Sequence, residues 1–383
     1  MKVIQVIPWL HKRSSGLTAF MSDFCRQMNT RTNLELVSLS PVVSDLFQDV
    51  DIHPFPPAVP PLSIVGWSYG MYRYLKGQSS QADIIQTHSL WTLPNIYPYF
   101  ASKRHKAKVI IMPHGTLAPQ ALRHSSWKKR IMLWAGQRTA LRRADLLIAT
   151  SKEEFNDIRK FGLTNPVAII PIGINPATPK ELRGKDSSKS RPKTIVYLSR
   201  IHPIKCVDLL IKAWNRCFLD FPDWILRIAG PLDSEYAKQM LALAKDLGCE
   251  RITFTGELSG REKEEFLANA DCFILPTSSE NFGIAIAEAL MHELPVITTQ
   301  GAPWEGLIDK NAGWWIKPND EDALVFTLRE AMSAPINVLQ EMGKRGKEWM
   351  QAEFSWDTIA QKYIETYGWL LGEAAKPEFI YIE

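Results

Sequence analysis

Residues 271–299, DCFILPTSSENFGIAIAEALMHELPVITT, read as a strand, a polar turn, a helix and a second strand. The apolar run DCFILP stops in small polar residues and one carboxylate, Glu280. Asn281, Phe282 and Gly283 then open a helical run that carries a second carboxylate, Glu288. Strand, helix and strand in succession is the unit of a parallel sheet covered by helices. The same alternation extends outward. TIVYLSR, WILRIAG and RITFTG precede this stretch, and before them come VIQVIP, LELVSLS, DIIQTHS, VIIMPHG, DLLIATS and VAIIPIG. The fold class is therefore α/β, with two doubly wound Rossmann-like halves. Between them NPATPKELRGKDSSKSRPK, rich in proline, serine and charge, reads as a linker. The expected domains are 1–172, a linker at 173–192, and 193–352. A helical, aromatic-rich tail from about 353 to 383 is expected to pack as core back on the first domain.

A chain of 383 residues suits two such domains, and 45% hydrophobic with 22% charged residues is the balance of a soluble globular protein. The net charge of +4 is too mild to call for nucleic acid. Five scattered cysteines without CxxC spacing argue against a zinc site or a disulfide framework and fit a reducing compartment. The opening MKVIQVIPWLHKRSSG breaks at Pro8, so it reads as a strand rather than a signal peptide. No apolar run approaches the ~18–20 residues that span a bilayer. A cytoplasmic protein is expected.

In doubly wound sheets ligands bind beyond the carboxyl ends of the strands. After TIVYLS come Arg200 and Lys205, on a loop entering a helix, where two cations and free amides suit a diphosphate. After DCFILP, Gly283 permits close approach, and a carboxylate such as Glu288 can accept from the vicinal hydroxyls of a ribose. Glu280 is either a helix-capping charge or a ligand group. Phosphate donors beside a diol acceptor describe a nucleoside diphosphate carrying a sugar.

Glu280 and Glu288 with FG between them resemble the E-x7-E signature of retaining glycosyltransferases of the GT-B fold, in particular family 4. SSG, DIIQTHS, PHG, the SxR...K loop, LRIAGP, ITFTGEL, ADCFILPTSSENFG and PVITT follow in family order. The resemblance implies two Rossmann-like domains facing across a cleft and transfer of a sugar, with retention, from a nucleoside-diphosphate sugar. It puts a UDP-sugar first and GDP-mannose second. The acceptor is a saccharide or lipid-linked hydroxyl, as in bacterial surface polysaccharide synthesis. Glu288 is implied to hold the ribose and Glu280 to lie close to the donor sugar, and Asn281, Phe282 and Gly283 are expected to bind substrate beside them. Arg200 and Lys205 bind the diphosphate, and Gly16 brings backbone amides to it. His114 in PHG contacts the sugar near the reacting bond, and His88 in DIIQTHS lines the acceptor side or packs. The chain departs from the family pattern at Ser15, Cys206 and Glu293, where glycines are usual. A nucleotide-sugar epimerase or hydrolase on the same scaffold is one alternative, and a catalytically silent nucleotide-sugar-binding subunit is another.

No cofactor or metal is expected. Asp49-Val50-Asp51 forms a DxD triplet with no strand end to present it, and Arg200 with Lys205 supplies the neutralising charge instead. Residues 121–145 hold seven Lys or Arg and no acid before Asp145, with Trp127 and Trp134 on one helical face. Such a helix at 121–143 suits peripheral contact with an anionic membrane, at the inner face of the plasma membrane. The other reading is a solvated basic face whose tryptophans are core. No nucleic-acid-binding fold accompanies the charge.

Overall fold

The computed structural model describes residues 1–10, 16–103, 106–123, 125–177 and 191–382. The chain divides into two compact units, Met1–Gly173 with Trp356–Glu383, and Ile174–Ser355. Most of the expected linker, residues 178–190, lies outside the described residues. The first unit holds β1 (Lys2–Leu10), β2 (Asn33–Val42), β3 (Asp51–Phe55), β4 (Ile84–His88), β5 (Lys108–Met112), β6 (Leu146–Ala149) and β7 (Val167–Ile169). The second holds β8 (Lys193–Leu198), β9 (Trp224–Ala229), β10 (Ile252–Gly256), β11 (Cys272–Leu275), β12 (Val296–Thr299) and β13 (Gly313–Ile316). The chain then returns to the first unit through the helix Trp356–Leu371 and a short strand, β14 (Ile380–Tyr381).

Strand order in the first sheet is β14-β7-β6-β5-β4-β1-β2-β3, parallel except for the β14–β7 edge pair. In the second it is β10-β9-β8-β11-β12-β13, parallel throughout. Each sheet reverses its winding once, between β1 and β4 in the first and between β8 and β11 in the second. A doubly wound sheet opens a ligand crevice at such a reversal, beyond the carboxyl ends of the strands.

Helices cover both faces, so central strands are apolar without alternation, and every residue of β4 and β6 is buried. Polar side chains interrupt this, among them Gln5 of β1 and Gln86 of β4, which are register partners and fully buried. The returning helix brings Tyr363 and Tyr367 into the same core, with Tyr363 edge-on to Phe24 at 4.8 Å. The tail is not helical to its end, since β14 pairs with β7 and covers that edge of the sheet.

Candidate functional site

In the second unit, β8 leads through Ser199 and Arg200 into a 3-10 turn, Pro203–Lys205, and then the helix Val207–Asn215. Cys206, at the junction, adopts left-handed backbone (φ 52°, ψ 45°). A glycine takes that conformation without strain, so the chain keeps a glycine-type turn at a cysteine. Glu293 does likewise (φ 60°) and pairs its carboxylate with Lys347 at 2.9 Å. Ser15 lies outside the described residues.

The polar turn after β11 is tied to this loop through one carbonyl. Ile204 O accepts from Ser278 N (2.8 Å), Thr277 Oγ1 (3.0 Å) and Ser278 Oγ (3.1 Å). The Glu280 amide donates to Gly301 O at 2.7 Å, and a Cβ at Gly301 would stand 2.6 Å from Thr277 O. Only glycine allows that approach. The two loops thereby bring Lys205 and Glu280 together, and the ammonium donates to Glu280 Oε2. Lys205 is 5% exposed, whereas Arg200 is exposed and its guanidinium has no partner among the described residues. The two expected cations therefore differ: one is open to an incoming anion, the other is already shared with a carboxylate.

Gly283 (φ 85°, ψ 62°) precedes the helix Ile284–Met291, and a Cβ there would meet Glu280 Cγ at 3.1 Å and Trp304 Nε1 at 3.3 Å. Glycine thus lets the helix start beside Glu280; the Ile286 amide turns back to Gly283 O at 2.9 Å, which leaves the amides of Ile284 and Ala285 without a partner in their own helix. Asn281 is partly exposed in the same turn. Phe282 departs from the expectation of a ligand contact: it is buried against Trp304 (5.3 Å) and Phe354 (6.0 Å). Its carbonyl accepts from Trp304 Nε1, so it anchors the turn from behind. Glu288, on the helix, accepts from Lys263 Nζ at 2.6 Å, with both side chains partly open to solvent. Lys263 was not legible as a site residue, because nothing local in GREKEEFLA distinguishes it from a surface lysine.

In the first unit His88 ends β4 and His114 follows β5. His88 is fully buried and His114 partly so. His88 therefore has no surface for a ligand and stands behind His114. Their rings meet at His88 Nδ1···His114 Nε2, 3.0 Å, and His88 Nε2 lies 2.8 Å from Gln5 Oε1. Beyond them the Tyr367 hydroxyl donates to Gln86 Oε1 (2.7 Å), and Gln5 Nε2 reaches Tyr367 Oη at 3.5 Å. The network assigns the protons. Gln86 Nε2 also lies 3.4 Å from His88 Nε2, but the shorter approach is that of Gln5 Oε1, which only accepts, so we place the His88 proton on Nε2, with Nδ1 accepting from His114 Nε2. Burial holds both imidazoles neutral, His114 down to about 3 and His88 well below the ordinary histidine value, the latter helped by its neighbour.

The His114 turn is held by a residue that sequence reasoning passed over. Glu154, buried on the helix Lys152–Lys160, accepts from Gly115 N (2.5 Å), Thr150 N (2.7 Å) and Thr150 Oγ1 (2.8 Å). Ser151 and Glu154 form an S-x-x-E pattern, and Ser151 Oγ accepts from Glu154 N at 3.1 Å. Replacing Glu154 by alanine strands these donors, and an expected loss of ~3 kcal/mol or more follows from the cost of unpaired buried groups. Urea unfolding measures it, and a change within ~0.5 kcal/mol, the range of ordinary surface substitutions, overturns this account. Gly16 opens the helix Gly16–Asn29 and is exposed, while the loop before it is outside the described residues.

The glycosyl transferases group 1 family matches residues 179–349, and glycosyltransferase family 4 matches residues 15–178. Together they run almost the length of the chain, in the order of its two units. The chain belongs to glycosyltransferase family 4 and has the GT-B fold. This family 4 chain is 28% identical over 250 residues to a GDP-mannose-dependent alpha-(1-6)-phosphatidylinositol monomannoside mannosyltransferase of Mycolicibacterium smegmatis, covering 60% of the chain and 64% of the relative. It spans 50% to 64% of the length of the leading curated relatives. Among solved structures, a sucrose-phosphate synthase from Thermosynechococcus elongatus superposes with a TM-score of 0.76 at 17% identity, covering 98% of this chain and 100% of that one. Anabaena HepE in complex with UDP and glucose also gives 0.76 at 17% identity, covering 96% and 99%.

Two further expectations for the family 4 chain meet the structure here. Asp51 does open a strand, β3, contrary to the sequence reading, and its carboxylate lies with Glu35 and His53 as a possible three-ligand group. Glu35 is already taken by Lys2 (2.7 Å) and the Tyr74 hydroxyl (2.9 Å), and these residues sit toward the amino end of the sheet, opposite His88 and His114. The basic stretch is not one helix. Ser126–Met132 and Arg138–Arg143 flank a π-turn, Leu133–Gln137, with Gly136 at φ 123°. Trp127 is 61% exposed and Trp134 90%, so the tryptophans are not core. Among the described residues no helix is long and apolar enough to cross a membrane.

Proposed function

We propose that the protein transfers a glycosyl group, with retention, from a nucleoside-diphosphate sugar to a hydroxyl of a saccharide or lipid-linked acceptor. The observation that carries this is the second unit's crevice: exposed Arg200, buried Lys205 held against Glu280, and the Gly283 helix start, all at the winding reversal between β8 and β11. As the glycosidic bond breaks, the leaving diphosphate gains charge, and fixed cations and amides stabilise it. Arg200, Lys205 and the Gly16 backbone take that part. Glu280, Asn281 and His114 orient the sugar, and Glu288 holds the ribose. The acceptor hydroxyl loses its proton to the departing phosphate on the same face, so no metal or protein nucleophile is required. The left-handed backbone at Cys206 and Glu293 weighs against the silent-subunit alternative, because the turns that glycines would make are present.

The mannosyltransferase relative draws the donor toward GDP-mannose, ahead of the UDP-sugar expected first. Thermal shifts against UDP, GDP, ADP and TDP, with and without EDTA, decide this. At a hundredfold excess over Kd the matching nucleotide adds ~2.7 kcal/mol. Glu288→Ala is expected to remove most of that shift, and an unchanged shift sinks the ribose assignment. No shift with any nucleotide counts against the donor-site reading, whereas a shift without transfer favours the silent subunit. The basic segment 126–143 meets an anionic membrane at the cytoplasmic face, with a surface polysaccharide or lipid-linked saccharide as product.

A further inference from the structure

Next to the basic segment lies a stretch with no Lys, Arg, Asp or Glu from Ile52 through Tyr72. Part of it, residues 58–69, forms a closed loop: Ala58 N donates to Trp67 O at 2.7 Å, and Ser68 Oγ to Pro56 O at 2.8 Å. Gly66 in left-handed backbone caps the 3-10 turn Leu62–Val65. Val65 points inward and packs in one cluster with Ile96, Met132 and Ala140. Its neighbours point outward, with Val59 80% and Ile64 67% exposed, and Leu62 and Tyr69 exposed as well. The loop is thus ordered by its backbone while presenting apolar side chains to water.

Met132 belongs to the basic segment, so the loop and that segment roof the same cluster and their outward faces adjoin. On the basic side Trp127, Ile131 and Trp134 are exposed among Lys128, Arg130 and Arg138. No acid occurs from Ile84 through Ala144. An uncharged apolar loop beside a cationic, tryptophan-bearing segment has the two components of an interfacial lipid site, insertion and charge attraction.

We infer that residues 58–69 are the inserting half of a two-part site for an anionic bilayer, the charged half being 126–143. This rests on the membrane reading of the basic segment. It also brings a lipid-carried acceptor to the same unit as His114.

Co-sedimentation of the full chain with phosphatidylcholine vesicles, with and without phosphatidylglycerol, tests both parts. Wild type binds the anionic vesicles, more weakly as salt rises. Val59→Ser with Ile64→Ser is expected to weaken binding ~10-fold or more with the salt dependence kept, since apolar burial is lost. Lys128→Gln with Arg130→Gln weakens it ~10-fold or more and flattens the salt dependence. Wild-type binding by the serine variant, with weakening by the glutamine variant, overturns the inserting loop and leaves the basic segment standing. No binding by wild type overturns both. If the serine changes alter only the sedimentation mass of the free protein, the face is a contact between copies and the inference fails. All four residues are exposed, so melting midpoints equal to wild type exclude unfolding as the cause.

Discussion

Lys205→Ala is expected to lower kcat by ~100- to 1000-fold, the range found when one preorganised donor to a developing charge is removed. The ammonium is aimed by backbone rather than by its own flexible stem. It ends a 3-10 turn closed by Lys205 N to His202 O (2.8 Å), and the preceding carbonyl is fixed by three donors from the next loop. A cation held in place and shielded from water costs no reorganisation when the diphosphate leaves. Ground-state affinity for the nucleotide falls less, because exposed Arg200 remains. The partner substitution separates charge from packing: Glu280→Gln removes the negative charge beside Lys205. Free nucleoside diphosphate then binds more tightly while transfer slows. Steady-state kinetics with nucleotide titration measures both. A Lys205→Ala protein with kcat within twofold of wild type removes the lysine from the mechanism.

The strands that build both crevices were legible because buried parallel strands are short apolar runs bounded by turn residues. β3 was not, since Pro54 removes a ladder donor and argues against a strand. The structure resolves this by placing DIHPF at the sheet edge, where proline is tolerated. Glu280 and Lys205 were legible singly, but their ion pair was not, because 75 positions separate them. Phe282 shows a different limit. Sequence locates a residue in a turn without fixing which side of the turn its ring takes, and here packing with Trp304 and Phe354 decides. The tryptophans at 127 and 134 share a helical face in any periodic reading. Which face is exposed depends on Met132 and Ala140 having a cluster to fill. One signal was present and passed over: a glutamine inside each of two strands, VIQVIP and DIIQTHS, that read as buried. Buried amides require partners, so a buried polar network was implied before any coordinates.

That network sets the second large effect. His114→Ala is expected to reduce kcat ~100-fold, the scale of loss from misplacing a reacting group by about an ångström. His88→Ala, leaving His114 without the acceptor for its Nε2 proton, gives a smaller loss of ~10-fold with nucleotide affinity unchanged, the scale of about one hydrogen bond. Both rings are neutral in the folded protein, so activity carries no histidine limb between pH 5 and 8. A kcat that falls with an apparent pKa near 6.5 overturns the proton assignment. Stability behaves differently. Unfolded histidines take up protons near pH 6.5, whereas His114 in the native state does so only near 3. Between those values the unfolded state binds more protons, so stability declines as pH drops through that window. The slope is at most ~1.4 kcal/mol per pH unit for each such histidine. His114→Asn removes one titrating group and is expected to flatten the acid limb of the melting curve even as it slows transfer. A dependence identical to wild type would mean that the ring is not buried as the geometry places it, and the orientation of the sugar would have to be sought in other residues.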